Sequence, residues 1–293
     1  MKTYEYSSQD ILKWRREQLI LGGTKYELDY LLDAGAGLNR CDMQKIYLGT
    51  LSSFCLTTSL LNLSILWVKY LDENIPLQYL TGVCFWRDFQ LKVDSNVMIP
   101  RKETELLVDF AIDRFKDIPK GRWADLGTGS GVLAISLAIN FPLWQGHVVD
   151  ISHEALRLAE SNLQNLARNA QYTLHIGDWW KPLKPWWGSL NLVLANPPYI
   201  PDDFIKSLDP LVLNNEPHLA LFAGKNGLDA CKEIIDGAHD ALAPGGCLML
   251  EHHYDQSDAI LELMIKVGLV NLTVEKDLEG IKRFVIAFKA QRK

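Results

Sequence analysis

The chain carries a tetrapeptide, Asn196-Pro197-Pro198-Tyr199, directly after the apolar run of residues 192–195. An amide or aromatic amine nitrogen is a poor nucleophile because its lone pair is delocalised. Acceptors that hold both of its N–H hydrogens orient that lone pair toward an electrophilic methyl group. The side-chain oxygen of Asn196 is one such acceptor and the Pro197 carbonyl a second, and two prolines stiffen the loop that carries them. Tyr199 offers a flat wall against which a planar amide or base could pack. The tetrapeptide predicts a clamp for a planar nitrogen, with an ordinary proline-rich turn as the alternative.

A glycine-rich loop occupies residues 125–131, Asp-Leu-Gly-Thr-Gly-Ser-Gly, between a predicted strand and a predicted helix. Glycines let the backbone turn tightly and approach a ligand that a Cβ would block. Free N–H groups at the start of the helix favour a carboxylate or phosphate. The spacing is GxGxG rather than the GxGxxG of dinucleotide sites, and no Walker lysine follows. Asp125 could accept from an ammonium group, which S-adenosylmethionine carries. The predicted cofactor residues here are Asp125, Gly127, Thr128, Gly129, Ser130 and Gly131; a structural turn is the alternative.

Acidic residues also end the next two predicted strands. Asp150 lies about 20 residues beyond the glycine loop, where a carboxylate can accept from ribose hydroxyls. Its alternative role is to cap the following helix, but Ser152 is the better predicted cap. Asp178 can accept from the exocyclic amine of adenine, and Trp179 can cover the ring. Asp150, Asp178 and Trp179 are therefore predicted to bind the cofactor, together with Asn196.

Strands and helices alternate around these residues. Such alternation predicts an α/β fold with a parallel sheet covered on both faces and right-handed crossovers, and a terminal hairpin would add antiparallel pairing. The predicted strands are residues 123–126, 146–150, 172–176, 191–195 and 247–251, with the hairpin at 272–274 and 284–288; the helices between them include 131–140 and 153–167.

The first part of the chain has a different pattern. Helices are predicted near residues 11–20, 26–32, 43–51 and up to residue 71, with no strand alternation. Pro76 then punctuates the chain, and residues 85–93 alternate large and polar side chains as a β-hairpin would. We expect a helical partner-recognition domain at 1–75, an interdomain hairpin or linker at 76–95, and a catalytic domain at 96–293.

Composition limits the possible functions. The chain has 293 residues, 48% hydrophobic, with a formal charge of −6. This acidic balance argues against a mainly electrostatic grip on nucleic acid. The five cysteines form no CxxC pair and are expected to be reduced thiols. The N-terminus lacks the apolar core of a signal peptide, and residues 51–71 are too polar for a confident membrane span, so a cytoplasmic location is expected.

Further segments resemble those of one family. The tetrapeptide is similar to the [DN]PP[YFW] motif of a large group of methyltransferases, and within that group the chain resembles the HemK/PrmC family from about Pro76 to the end, more loosely over the helical part. The supporting segments are residues 76–82 (Pro-Leu-Gln-Tyr-Leu-Thr-Gly), Phe85-Trp86, residues 99–105 (similar to "IPRPETE"), Glu216-Pro217, residues 224–229 and Tyr254-Asp255-Gln256.

The resemblance implies an α/β fold with a seven-stranded, Rossmann-like class I methyltransferase sheet. This sheet would be mostly parallel with an antiparallel C-terminal hairpin, and a small N-terminal helical-bundle domain would accompany it. It implies S-adenosylmethionine as cofactor, S-adenosylhomocysteine as product and no metal. The implied substrate is the glutamine of the Gly-Gly-Gln loop of peptide-chain release factors, with no membrane and no direct nucleic acid as partner. Catalysis would fall to Asn196, Pro197 and Tyr199, and substrate binding to these residues with Pro198.

The chain departs from the family pattern at two places. Lys102 stands where proline is usual, and His252-His253 stand where Ile-Gly is usual. Adjacent side chains of a strand point to opposite faces, so the two histidines are interpreted as non-metal. Two alternative functions stay open: a nucleic-acid amine methyltransferase acting on adenine or guanine, and a cofactor-binding scaffold that no longer catalyses.

Overall fold

The protein, in a computed structural model that describes residues 2–291, alternates helices and strands along the chain. Its helices are α1 (Ser8–Leu21), α2 (Lys25–Ala36), α3 (Arg40–Leu48), α4 (Leu60–Glu73), α5 (Leu77–Thr81), α6 (Glu105–Phe115), α7 (Val132–Asn140), α8 (His153–Leu166), α9 (Pro210–Asn215), α10 (Asp229–Ala241) and α11 (Ser257–Lys266). Its strands are β1 (Tyr4–Ser7), β2 (Ser53–Leu56), β3 (Val83–Trp86), β4 (Phe89–Lys92), β5 (Arg122–Leu126), β6 (Gln145–Asp150), β7 (Gln171–Ile176), β8 (Leu190–Ala195), β9 (Leu242–Glu251), β10 (Leu269–Lys276) and β11 (Lys282–Lys289).

The chain divides into two compact units. The smaller unit runs up to Cys84 and also takes in Asp209–Asn215. The larger unit comprises Phe85–Leu208 and the chain from Glu216 onward. The division falls inside β3, the first strand of the hairpin that β3 forms with β4.

The smaller unit packs its helices around a core of leucine, isoleucine and tryptophan side chains, among them the fully buried Leu28 and Trp67. Local sequence sets the limits of α2. Thr24 accepts from the Glu27 backbone N–H while the Glu27 side chain accepts from the Thr24 N–H, a capping box that starts the helix. Gly37 ends it in the left-handed region at φ 73°. No helix among residues 2–291 is long and apolar enough to cross a membrane.

A two-stranded antiparallel sheet also belongs to this unit, which the sequence pattern did not predict. Strand β1 pairs with β2, with Tyr4 opposite Leu56 and Ser7 opposite Ser53. Each strand has four residues, too few to show alternation, and its partner lies far away in sequence. Pairing between distant short segments leaves no local periodic signal, so the prediction of an exclusively helical segment was wrong here.

The larger unit is built on a seven-stranded sheet in the order β10-β11-β9-β8-β5-β6-β7. Strands β9, β8, β5, β6 and β7 run parallel to one another, and β11 and β10 join antiparallel at one edge. The predicted fold class is therefore confirmed. Each of β5 to β8 begins one residue earlier than predicted and ends where predicted.

Both faces of the sheet are buried, as in other parallel sheets with helices on both sides. Trp123, Leu192 and Leu194 point into one apolar cluster, which α6 and α7 cover. Ala124 and Val193, one residue out of phase, point into the other cluster, which α10 and α11 cover. Apolar residues therefore occupy consecutive positions, which explains why residues 192–195 of β8 form a continuous apolar run rather than an alternating one.

The Pro-Gly-Gly segment at 244–246 lies inside β9, which therefore begins before the predicted start at residue 247. Leu190 pairs with Leu242 and Leu192 with Cys247, so the extra residues form a bulge. A Cβ on Gly246 would lie 2.6 Å from the Leu190 carbonyl oxygen, a contact that only glycine avoids. The bulge lets β9 begin earlier and still reach Glu251 at its end.

The carboxyl ends of the five parallel strands meet at one edge of the sheet. The chain leaves β5 toward β6 and β7 on one side and later returns to β8 on the other side of β5. Such a reversal opens a crevice where ligands of α/β proteins bind. The glycine loop, Asp150, Asp178 and Asn196 all follow or end these strands, so the topology gathers them at this edge.

Asn162 on α8 ties the glycine loop to the rest of the unit. Its side chain is 1% exposed. Its amide nitrogen donates to the carbonyls of Ser130 and Lys92, both at 2.9 Å, and its oxygen accepts from the Lys92 N–H at 2.9 Å. One side chain thus satisfies three backbone groups from two separate segments.

We expect Asn162→Ala to lower the free energy of unfolding by about 2–4 kcal/mol, because three hydrogen bonds to the backbone are lost and the Ser130 carbonyl stays buried. The matched control is Asn140→Ala, whose exposed amide donates only to the Ser136 carbonyl. That variant should stay within about 0.5 kcal/mol of the wild type. Urea unfolding measures both. Equal stabilities of the two variants would contradict the role given to Asn162.

Candidate active site

A cavity of about 560 Å³ opens at the carboxyl edge of the sheet. Most of the residues predicted from the sequence line it, namely Gly127, Thr128, Gly129, Ser130, Asp150, Asp178, Trp179, Asn196 and Pro198. Four predicted residues lie off its wall, namely Asp125, Gly131, Pro197 and Tyr199. The structure therefore brings together residues from four different strand ends.

The conformation of the glycine loop depends on three glycines with positive φ. Gly127, Gly129 and Gly131 have φ of 76°, 54° and 86°, in the region that residues with a side chain rarely adopt. The N–H groups of Gly127 and Thr128 both donate to the Val149 carbonyl, at 2.9 and 3.0 Å. A Cβ on Gly127 would lie 3.1 Å from the Trp179 ring, which therefore lies directly against the loop.

Asp125 is buried beneath this loop and does not line the cavity. Its Oδ2 accepts from the Thr128 hydroxyl at 2.6 Å and from the Ala134 N–H at 3.0 Å. Burial raises the pKa of the Asp125 carboxyl to about 7, and the hydrogen bonds from Thr128 and Ala134 offset only part of that effect. Asp125 therefore fixes the loop to the first turn of α7.

Asp150 lies on the cavity wall and also supports the loop. Its Oδ2 accepts from the Gly129 N–H and its Oδ1 from the Ser152 N–H, both at 2.9 Å. Ser152 caps α8 by accepting from the Ala155 N–H, as predicted, so Asp150 is not the cap. Desolvation by burial raises the pKa of Asp150 despite these bonds. Each carboxylate oxygen keeps further lone-pair capacity for hydroxyl donors.

Asp178 and Trp179 follow β7 at the same cavity. The Asp178 carboxylate pairs with the exposed Lys181 ammonium at 2.6 Å. Trp179 sits at φ 42°, an uncommon value for a residue with a bulky side chain. This conformation accompanies the contact of its ring with the glycine loop. The neighbouring Trp180 is instead a core residue, 5% exposed, which donates to the Ile234 carbonyl at 2.8 Å.

Asn196 has one half of its amide engaged and the other half unpaired. Its Nδ2 donates to the Thr104 hydroxyl at 3.0 Å. Its Oδ1 is buried and, among the described residues, has no hydrogen-bond partner. A buried acceptor left without a donor costs free energy, which an incoming N–H group would recover. The structure thus shows an unsatisfied acceptor on a residue that lines the cavity.

The segment after Asn196 is held by two buried side chains that sequence reasoning did not select as site residues. The Tyr199 hydroxyl donates to Glu251 at 3.3 Å. The Gln256 amide nitrogen donates to the carbonyls of Tyr199 and Gly227, both at 3.0 Å. A Cβ on Gly227 would lie 2.2 Å from the Tyr199 carbonyl oxygen, so only glycine fits. Tyr199 therefore fixes the loop. Its ring does not line the cavity, although the sequence predicted a flat wall there.

Two further polar residues of the cavity region were also missed. Arg101 lines the cavity and pairs with the buried Glu216 at 2.6 Å. Thr104 lines it too and is 2% exposed. The signal was present in the sequence, because residues 99–105 and Glu216-Pro217 were noted as family-like segments. Their contacts join positions more than 90 residues apart, which spacing alone does not reveal.

The two adjacent histidines lie just beyond β9, so the argument from alternating strand faces does not apply to them. His252 is fully buried, with its Nδ1 at 2.7 Å from the His253 carbonyl oxygen. His253 places its Nδ1 2.6 Å from an Asp255 carboxylate oxygen. Within residues 2–291 no group of three or more His, Cys, Asp or Glu side chains is arranged to hold a metal ion.

A pH experiment tests the burial of Asp125. Since the folded-state pKa of about 7 lies above the ordinary aspartate value of 3.8, the stability contributed by the protonated carboxyl is complete below pH 4 and is lost as pH rises through 7. Asp125→Asn keeps an acceptor for Thr128 and Ala134 but cannot ionise. Between pH 5 and pH 8, the wild type should therefore lose up to a few kcal/mol relative to the variant, at about 1.4 kcal/mol per pKa unit. Parallel stability curves would contradict this account.

Comparisons with known proteins agree with this geometry. A family model described as "Methyltransferase small domain" matches residues 102–205. The chain is 18% identical to a methyltransferase from Pyrococcus furiosus, with a TM-score of 0.50 over 77% of this chain and 96% of that one. The catalytic domain of hMettl16 superposes with a TM-score of 0.55 at 14% identity, over 80% of this chain and 82% of that one. At these identities the structural likeness shows the fold alone.

Curated relatives are much more similar in sequence. The release factor glutamine methyltransferase of Prochlorococcus marinus is 49% identical over 286 residues, which is 97% of this chain and 98% of the relative. The proteins of the same name from Gloeobacter violaceus and Synechocystis are 38% and 34% identical, over 89% and 96% of this chain and 90% and 97% of the relatives. With matches of this extent, the chain belongs to the release factor glutamine methyltransferase family.

Proposed function

We propose that the protein transfers a methyl group from S-adenosylmethionine to the side-chain amide nitrogen of the glutamine in the Gly-Gly-Gln loop of peptide-chain release factors. The observation that carries this proposal is the buried, unpaired Oδ1 of Asn196 on a residue that lines the cavity shared with the glycine loop. A primary amide offers N–H donors of the kind that such an acceptor lacks. The names of the curated relatives supply the class of substrate.

The residues of the cavity suit S-adenosylmethionine. When bound, the cofactor supplies a methyl group activated by a sulfonium charge. The glycine loop would receive the amino-acid end, Asp150 the ribose hydroxyls, and Asp178 with Trp179 the adenine. Asp125 and Gly131 would support the loop from below, because they lie off the cavity wall. Glycine at position 127 leaves room for a ligand and for the Trp179 ring at the same place.

Asn196 and Pro197 would hold the target amide. The Asn196 oxygen accepts one amide hydrogen and the Pro197 carbonyl the other, which turns the nitrogen lone pair toward the methyl group. Pro198 forms part of the cavity wall beside them. No strong general base is required, because the protonated amide product is very acidic and loses its proton readily. The protein contributes mainly positioning and exclusion of water.

Labelled cofactor tests the choice of substrate directly. The protein is incubated with a release factor, with double-stranded DNA or with RNA, at matched concentrations. We expect label on the release factor alone, at a rate at least about 100-fold above that on either nucleic acid, because the formal charge of −6 gives no general attraction for phosphates. Comparable labelling of nucleic acid would favour the base-amine alternative. Cofactor binding without any transfer would favour the scaffold alternative.

Substitution of Asn196 should separate chemistry from cofactor binding. Asn196→Ala removes an acceptor at the reacting centre, which typically costs about 10²–10³ in rate. Affinity for the cofactor should change only modestly, since the glycine loop, Asp150 and Asp178 are intact. Asn196→Asp keeps the acceptor and size but adds a charge, so we expect an intermediate rate. Single-turnover methylation at saturating cofactor gives the rate, and calorimetry gives the affinity. Methyl transfer by Asn196→Ala at the wild-type rate would exclude the clamp.

We further propose that the smaller unit binds the release factor outside its Gly-Gly-Gln loop. Helix α4 buries Leu63 and Trp67 on one face. Its other face is also apolar, with Leu61, Ile65 and Val68 72%, 50% and 41% exposed. These three lie at spacings of four and three residues and so form a stripe on the helix. An apolar stripe in contact with water is typical of a protein-binding surface.

The double variant Leu61→Glu/Ile65→Glu should raise the KM for intact release factor about tenfold or more, because charges replace apolar contacts in the interface. Cofactor affinity should not change. The control is Leu278→Glu, at an apolar side chain that is 93% exposed in the larger unit. It should leave the KM unchanged. Equal KM values for the wild type and the double variant would remove this stripe from the binding surface.

A further inference from the structure

We propose that Glu251, acting through the Thr104 hydroxyl, sets the orientation of the Asn196 amide and so makes Asn196 an acceptor for the substrate. This inference rests on the proposed function, since it explains how the clamp is aimed. Glu251 and Thr104 are positioning residues in it. Asn196 is the group that would touch the substrate.

The three side chains form a linear chain of hydrogen bonds. Asn196 Nδ2 lies 3.0 Å from Thr104 Oγ1. The same Oγ1 lies 2.7 Å from Glu251 Oε2. Thr104 immediately precedes α6, Glu251 ends β9 and Asn196 follows β8, so rigid elements carry all three. Thr104 is 2% exposed and Glu251 1%, which leaves solvent little room to compete for these bonds.

The direction of each bond follows from the number of hydrogens. A threonine hydroxyl carries one hydrogen and two lone pairs. An unprotonated Oε2 of Glu251 can only accept, so the shorter contact takes that hydrogen. Toward Asn196 the hydroxyl can then only accept, so the amide must present its NH₂ group. The reverse rotamer would place the amide oxygen against an oxygen lone pair with no hydrogen between them. Hence Oδ1 must face away from Thr104, where it is buried and has no hydrogen-bond partner among the described residues.

Glu251 anchors the other end of the tetrapeptide as well. Its Oε1 lies 3.3 Å from the Tyr199 hydroxyl, which donates to it. A single carboxyl group thus fixes both the first and the last residue of the Asn196–Tyr199 segment. Burial raises the pKa of Glu251 to about 7, and a proton on Oε1 would still leave Oε2 as an acceptor for Thr104. The relay therefore depends on the geometry of the carboxyl group and not on its charge.

Two substitutions at Thr104 test the relay in the full-length protein. Thr104→Val keeps the shape but has no hydroxyl, so the Asn196 amide loses its directing partner. The single-turnover rate with release factor should fall about 10–100-fold at saturating cofactor. Thr104→Ser restores the hydroxyl and should bring the rate back to within about threefold of the wild type. A wild-type rate for Thr104→Val would overturn the proposal.

A double-mutant cycle separates this positioning role from a merely structural one. In an Asn196→Ala background the relay has nothing to orient, so adding Thr104→Val should change the rate less than about twofold. Equal loss in both backgrounds would overturn the relay. Glu251→Leu removes the acceptor for the Thr104 hydroxyl and should lower the rate about 10–100-fold, as Thr104→Val does. A wild-type rate for Glu251→Leu would overturn the proposal.

A second readout does not require catalysis. The side-chain NH₂ signal of Asn196, assigned by nuclear magnetic resonance, should show slow exchange of one proton in the wild type and in Thr104→Ser, and rapid exchange in Thr104→Val. Identical exchange in all three would overturn the relay even if the wild type methylated no release factor. Absence of methyl transfer by the wild type would overturn the proposed function alone. Protected exchange in the wild type together with its loss in Thr104→Val would support the relay in either case.

Discussion

Parallel pairing of β5 with β6 on one side and β8 on the other is the constraint on which the site depends. In this register Leu126 lies opposite both Val149 and Ala195, so the residues that follow these strands leave the sheet at the same level. The glycine loop, Asp150 and Asn196 are separated in sequence by up to about 70 residues and still line one cavity. A shift by one residue would turn side chains to the opposite face of the sheet. This register therefore fixes where the site residues lie relative to one another.

Buried carboxyl groups perform the same task at two strand ends. Asp125 in β5 holds the glycine loop through Thr128 and Ala134, and Glu251 at the end of β9 holds the tetrapeptide through Thr104 and Tyr199. Neither lies on the cavity wall. Burial raises the pKa of each to about 7, because removing a carboxylate from water costs several kcal/mol. In return, each offers two oxygens in fixed directions, which rigid loops at a reacting centre require.

Much of this arrangement follows from the sequence, and the exceptions have a common cause. Glycines at 127, 129 and 131 and the tetrapeptide at 196–199 are contiguous signals, and the strands before them end where predicted. The β1–β2 sheet, the Arg101–Glu216 pair and the Thr104–Glu251 contact each join segments far apart in sequence. No local period encodes such contacts. Asp125 and Tyr199 belong to the predicted segments, but their side chains do not line the cavity. Both side chains instead form hydrogen bonds in the interior of the protein.

The central claim is that the Asn196 clamp orients the amide nitrogen of a glutamine side chain for methyl transfer. Tandem mass spectrometry of a release factor, after incubation with the protein and S-adenosylmethionine, tests it most directly. The account predicts one added methyl group, located on the side-chain nitrogen of the glutamine in the Gly-Gly-Gln loop, and none after incubation with Asn196→Ala for the same time. A methyl group on any other residue, or an unmodified release factor beside an active enzyme, would contradict it.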